Sequence, residues 1–182
     1  RQTRSDIVAM PKADVVFWHG LYLEAQLEAF FKDLAKRKKV IALAEALPKE
    51  KLHSSAQYPG RYDPHVWMDP QLWKGVISAA YSELIKLDPG GAAQFKANTE
   101  RHLAEVDALT VYAKRVLANV PEKSRVLVTA HDAFSYFGRA FGYEVLGIQG
   151  ISTESEAGVE QIEELVQDLV GKEIRAIFID TS

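Results

Sequence analysis

The 182-residue chain has no cysteine, which excludes disulfides, thiolate metal sites and cysteine nucleophiles. It has no apolar run of the roughly 18 residues that a membrane helix needs. It also lacks an excess of positive charge. Lysine and arginine total 22 against 25 aspartates and glutamates, giving a net charge of −3 and a pI near 6.0. A general nucleic-acid binder needs a concentrated positive field, so that class is disfavoured. The chain opens Arg1-Gln2-Thr3-Arg4 with no apolar leader; an exported protein whose leader had been removed would read the same. The motifs H-E-x-x-H, G-x-S-x-G, G-x-x-x-x-G-K-[ST] and G-x-G-x-x-G are absent as well. What remains is an ordinary globular composition, 47% apolar and 26% charged, long enough for one large domain or two small ones.

Short apolar runs alternate with helical periodicity. Residues 13–18 (ADVVFW) suit a buried strand. After Gly20, the residues Leu21, Leu23, Leu27, Phe30, Phe31 and Leu34 step by three and four and predict a helix, closed by Lys36-Arg37-Lys38-Lys39. A strand follows at residues 40–43, then a polar loop over 48–64. Asp69-Pro70 is a helix start, with the aspartate as N-cap and proline at the first helical position. That helix runs to about Leu87, where Asp88-Pro89-Gly90-Gly91 stops it.

Residues 92–119 contain neither proline nor glycine. Phe95, Thr99, His102, Val106, Leu109, Ala113, Val116 and Val120 predict the apolar stripe of one helix of about 42 Å. Two helices with a break are the alternative. Beyond Pro121 the alternation returns: strand 125–130 (RVLVTA), helix 132–141, strand 143–148, a T-x-x-E capping box at residues 153–156, a helix to about Val170, and strand 175–180 (RAIFID). Such alternation implies parallel sheets with right-handed crossovers. The expected architecture is α/β: two parallel-sheet lobes, residues 1–91 and 121–182, joined by one long helix over 92–120. Only two clear strands precede the long helix, and the last strand lacks a covering crossover, so the chain is expected to be truncated at both ends. A helix without glycine or proline also has no hinge. Any closure of the lobes should therefore be small, with the larger response in residues 48–62.

Five histidines are the candidate chemistry. His102 lies in the long helix and is expected to be a packing or surface residue. His53 reads as a solvent-exposed loop histidine, and His19 as a loop residue after the first strand. His65 is more distinctive, between Pro64 and the capped helix start. His131 follows the strand at 125–130, and Asp132 can cap the next helix. Both stand where ligands gather in α/β folds, at carboxyl ends of strands or on the loops beside them. Imidazole is a common metal ligand, so His65 and His131 form a candidate metal pair.

The stretches ADVVFW (13–18), Asp63-Pro64-His65-Val66-Trp67, RVLVTAHDAFSYF (125–137) and GIQGISTE (147–154) occur in this order across essentially the whole chain. On these motifs the sequence resembles the TroA-like zinc/manganese-binding proteins, the cluster A-I type of extracytoplasmic solute receptors of metal-importing ABC transporters. The resemblance implies two α/β lobes on a backbone helix with the metal held between them. It makes His65 and His131 metal ligands, and a histidine at the third ligand position, His131 here, is typical of zinc-binding and mixed zinc/manganese members. Thr3-Arg4-Ser5-Asp6 resembles the tail of a Pro-Thr-x-Ser-Asp stretch. That would put the family's first ligand, a histidine, before residue 1, and its fourth, an aspartate, after Ser182. The His/Asp-rich loop of many zinc transporters is missing, since residues 48–62 hold only His53.

The implied cargo is Zn²⁺ or Mn²⁺, with no organic cofactor. The implied partner is an ABC membrane permease, and the implied location periplasmic or otherwise extracytoplasmic, with or without a lipid anchor. The expected protein is a non-enzymatic monomer. A closed shell of imidazoles and carboxylate suits capture. The alternative is a zinc-dependent hydrolase that uses the same histidines with a bound water.

Overall fold

The computed structural model describes residues 3–55 and 58–149 together with Glu163, Val166, Gln167, Val170 and Gly171. The first helix, α1 (Arg4–Ala9), was not foreseen. It is closed by a reciprocal cap in which the Thr3 hydroxyl accepts from the Asp6 amide and the Asp6 carboxylate accepts from the Thr3 amide. Strand β1 (Val15–Trp18) and β2 (Lys39–Ala42) pair in parallel, Val15 opposite Lys39 and Trp18 opposite Ala42. Helix α2 (Glu28–Leu34) makes the crossover and buries Phe31 and Leu34 against Val16.

The helix expected from Leu21 onward starts later. Leu21 and Tyr22 have positive φ (51° and 72°), as does Gly20 (84°). A left-handed backbone cannot continue a right-handed helix. The turn is held by Glu24, whose carboxylate accepts from the amides of His19 (2.8 Å) and Gly20 (3.1 Å). Leu21 is thereby directed into the core.

Helix α3 (Pro70–Leu87) begins as predicted: the Asp69 carboxylate accepts from the Gln71 amide, and Pro70 stands at the first position. Helix α4 (Ala92–Leu117) is a single helix of 26 residues, about 39 Å, so the two-helix alternative does not hold. Its inward line, however, is Phe95, Thr99, Leu103, Val106, Thr110, Ala113, Leu117 and Val120. The predicted stripe is one residue out of phase at His102, Leu109 and Val116, and Leu109 is 58% exposed. Both lines step by three and four, so spacing alone could not choose between them. Lys74 on α3 reaches both oxygens of Asp107 on α4, at 2.6 and 2.8 Å.

Strand β3 (Val126–His131) and β4 (Glu144–Gln149) form a second parallel pair, with α5 (Ser135–Phe141) as crossover. His131 is the last residue of β3 and does not follow it. Asp132 does not cap α5. The Ala133 amide donates to the His131 carbonyl, which turns the chain at Asp132 and delays the helix to Ser135. Asp132 instead accepts from the Ser135 hydroxyl at 2.7 Å. The expected capping box at 153–156 and strand at 175–180 lie outside the described residues. Of the expected helix to Val170, the described Glu163, Val166, Gln167, Val170 and Gly171 are helical.

The main core joins Leu21, Ala44, Leu47, Val66, Leu72 and Val76 to Tyr136 of α5. Tyr136 comes from beyond the long helix yet is fully buried among residues that precede it. Helix α5 lies so close to β4 that a methyl at Gly138 would sit 2.6 Å from the Tyr143 carbonyl oxygen and 2.8 Å from a Val145 methyl. Gly138→Ala should therefore destabilise the protein by about 1–3 kcal/mol, the usual range for overpacking. Chemical denaturation measures this, and an unchanged midpoint would contradict the packing.

Candidate metal centre

The segment Asp63-Pro64-His65 is fixed at each of its carbonyls. The Asp63 carbonyl accepts from the Tyr136 hydroxyl (2.9 Å), the Pro64 carbonyl pairs with His19 Nε2 (2.7 Å), and the His65 carbonyl accepts from the Met68 amide (3.1 Å). The side chains of Asp63 and His65 are buried, 2% and 6% exposed. Asp63 Oδ1 accepts from the His65 amide (2.9 Å) and sits 2.7 Å from His65 Nδ1. A carboxylate at that distance holds the proton on Nδ1 and leaves Nε2 as the nitrogen with a free lone pair. This is the orientation that metal-binding histidines commonly receive from an outer carboxylate.

His131 meets His65 across the chain, with ring centroids 5.6 Å apart and planes at 61°. Two imidazoles on one tetrahedral zinc, with bonds of about 2.0–2.1 Å, have centroids about 5 Å apart. The pair thus stands close to the spacing that one shared ion requires. Trp67 packs edge-on against both His65 (5.1 Å) and His19 (5.2 Å) and walls the site with apolar surface. Among the described residues, no group of three or more histidine, aspartate or glutamate side chains could hold a metal ion. The pair supplies two donors, and a tetrahedral ion needs two more.

The other histidines have different surroundings. His19 has one ring nitrogen engaged by Pro64, and burial lowers its pKa against the raising effects of that carbonyl and Glu24. His102 is exposed, its Nδ1 3.3 Å from a Glu105 oxygen. His53 is not the exposed loop residue expected. Its ring lies edge-on to Tyr136 at 4.6 Å, and its Nε2 is buried without a hydrogen-bond partner. Tyr136 of α5 packs over the His53 ring and its hydroxyl accepts from the His53 amide. Burial, then Arg139, pulls its pKa down, against Asp63, Asp132 and Asp69. Burial also pushes the Tyr136 phenol up to about 12, so it is a neutral donor at physiological pH.

Sequence reasoning missed Asp63 as a partner of His65 and Tyr136 as a partner of the Asp63 carbonyl and the His53 amide. The two-residue spacing of Asp63 and His65 was an available signal, because a carboxylate reaches the amide two positions on. Nothing local marked Tyr136.

The family described as "ZnuA: Zinc-uptake complex component A periplasmic" matches residues 1–182. The chain belongs to this family. The ZnuA-family chain is 38% identical over 183 residues to the manganese-binding lipoprotein MntA of Bacillus subtilis, covering 100% of this chain and 59% of that protein. It is 38% identical to the zinc-binding protein TroA of Treponema pallidum, covering 99% of this chain and 58% of that protein. The solved structure of TroA superposes with a TM-score of 0.93 over 99% of this chain and 64% of that one. The metal ABC transporter substrate-binding lipoprotein SsaB of Streptococcus sanguinis is 29% identical, over 97% of this chain and 59% of that protein. The chain thus spans about three fifths of the length of these relatives. Two parallel α/β sheets joined by a long helix, as expected from the sequence, are the fold it shares with TroA.

The two depressed histidines predict a pH dependence. With both pKa values lowered in the fold, His19 and His53 bind fewer protons there than in the unfolded chain as the pH falls. Stability is then complete above about pH 7.5 and is lost as the pH falls through 6.5. Thermal unfolding of metal-free protein at pH 7.5 and 5.5 should show a lower midpoint at 5.5. The drop should shrink in a His19→Asn, His53→Leu double variant; an equal drop would contradict the assignment.

Proposed function

We propose that the complete protein is an extracytoplasmic receptor that captures a divalent transition metal ion, zinc first and manganese next, and delivers it to an ABC importer. The observation that carries this reading is the meeting of His65 and His131. His131 ends β3 and His65 lies in the turn that leads into α3, 66 residues apart in sequence, with ring centroids 5.6 Å apart and one ring oriented by a buried carboxylate. The names of the relatives support the metal and the importer: MntA is manganese-binding, TroA zinc-binding, and SsaB a substrate-binding protein of a metal ABC transporter. Two of those names are lipoproteins and one is periplasmic, which supports a place outside the cytoplasm, with or without a lipid anchor.

On this reading His65 and His131 are metal ligands, and the remaining donors come from outside the described residues. The working division is residues 1–91 and 121–182 as lobes, with 92–120 as the joining helix, acting as a monomer. Zinc accepts imidazole and carboxylate donors in a four-coordinate shell. Manganese binds the same donors more weakly and depends on geometry or supply. The role is binding without catalysis. The hydrolase alternative gains no support from relatives named for metal binding and transport.

Zinc titration of the full-length protein tests the reading. His65→Ala and His131→Ala should each reduce affinity by several orders of magnitude. Asp63→Asn, which removes the outer carboxylate, should cost about 10–100-fold. His131→Glu should shift the zinc-to-manganese preference toward manganese, because a carboxylate is the harder ligand. Wild-type affinity in either alanine variant would remove that histidine from the shell.

A further inference from the structure

Residues 53–55 and 61–63 pair as a short antiparallel ribbon. Ser54 and Tyr62 are bridged, the Ser55 amide donates to the Arg61 carbonyl, and the Asp63 amide donates to the His53 carbonyl. In a regular ladder such a pair also exchanges the reciprocal bond; at 55 and 61 the Arg61 amide donates instead to the Tyr58 carbonyl, at the turn. At 53 and 63 the reciprocal rung, from the His53 amide to the Asp63 carbonyl, is not direct. The Tyr136 hydroxyl occupies it, accepting from the His53 amide at 3.0 Å and donating to the Asp63 carbonyl at 2.9 Å. A side chain from beyond the long helix is thus built into the ribbon that leads directly to His65.

The same helix adds a second attachment. Arg139 lies over the Tyr136 ring, donates to the Lys51 carbonyl at 2.7 Å and pairs with the Asp69 carboxylate at 3.3 Å. These four hydrogen bonds join the residues before α4 to those after it, and they grip both ends of the segment 51–69 that contains His65. Helix α5 itself begins four residues after His131. The hydroxyl is not needed for packing, since the bare ring would fill the same place in the core.

On the reading of His65 and His131 as metal ligands, we infer that Tyr136 is a positioning residue: its hydroxyl replaces one rung of the 53–63 ribbon and so sets His65 against His131. Without the hydroxyl, the His53 amide and Asp63 carbonyl are free to close on each other. That closure would shift Asp63, and with it the carboxylate and imidazole that follow, away from His131. A preset pair spares the ion the cost of ordering its ligands, which is how preorganisation raises affinity.

The test uses the full-length protein with Tyr136→Phe, which keeps the ring and removes the hydroxyl. Zinc affinity is measured by chelator competition, and the geometry of the shell by the visible absorption bands of bound Co²⁺. Zinc affinity should fall about tenfold or more and the Co²⁺ bands should shift. Affinity within twofold of wild type with unchanged Co²⁺ bands would overturn the inference, whatever the change in melting temperature. Arg139→Gln, on the rim of the same contact, should weaken zinc about threefold and shift the Co²⁺ bands in the same direction. If Tyr136→Phe does not fold, this variant decides by the same two readouts. His65→Ala separates the two levels. Metal uptake that survives His65→Ala overturns the ligand assignment and this inference together, whereas an effect confined to His65→Ala overturns the role of Tyr136 alone.

Discussion

Everything at the histidine pair depends on one buried phenol. Tyr136 is fully enclosed by Leu21, Leu47, Val66 and their neighbours. A hydroxyl taken that far from water is costly unless both its functions are met. It meets them on two backbone groups of one ribbon, so satisfying it fixes the ribbon and α5 together. Apolar packing alone would allow the two parts of the chain to slide. Hydrogen bonds of 2.9 and 3.0 Å at the centre of the contact fix the register of that packing.

The charge at the site follows from the same enclosure. Asp63 is a carboxylate at 2% exposure, and it is tolerated because the His65 amide and imidazole both reach it. That pairing also settles which imidazole nitrogen has a free lone pair. On the proposed reading, an arriving cation meets an imidazole nitrogen backed by the Asp63 carboxylate, with the Trp67 ring packed edge-on beside it.

The local patterns were the legible part of the sequence. Asp69-Pro70 marked the start of α3, the absence of glycine and proline marked α4 as one helix, and short apolar runs marked β1 to β4. His65 and His131 stood out because their flanks are rigid. What could not be read depended on contacts distant in sequence. The turn at Leu21 is set by Glu24 folding back onto the end of β1, against the periodicity of the leucines around it. The phase of the α4 stripe is set by where α3 lies. His53 is half-buried because Tyr136 of α5 packs on it, and Tyr136 is one of several aromatics in its segment, distinguished only by partners 73 and 83 residues away.

The central claim is that the halves are joined before metal arrives, by α5 and its two attachments. These 182 residues contain no cysteine, so, with any cysteine elsewhere in the full-length protein replaced by serine, spin labels can be placed on cysteines introduced at the exposed Lys36 and Lys123, one before and one after the long helix. Pulsed electron spin resonance on the full-length protein then gives the distribution of distances with and without Zn²⁺. A narrow distribution already present in the metal-free protein, and unmoved by zinc, is the predicted result. A broad distribution that narrows or shifts by several ångströms on zinc binding would contradict the account.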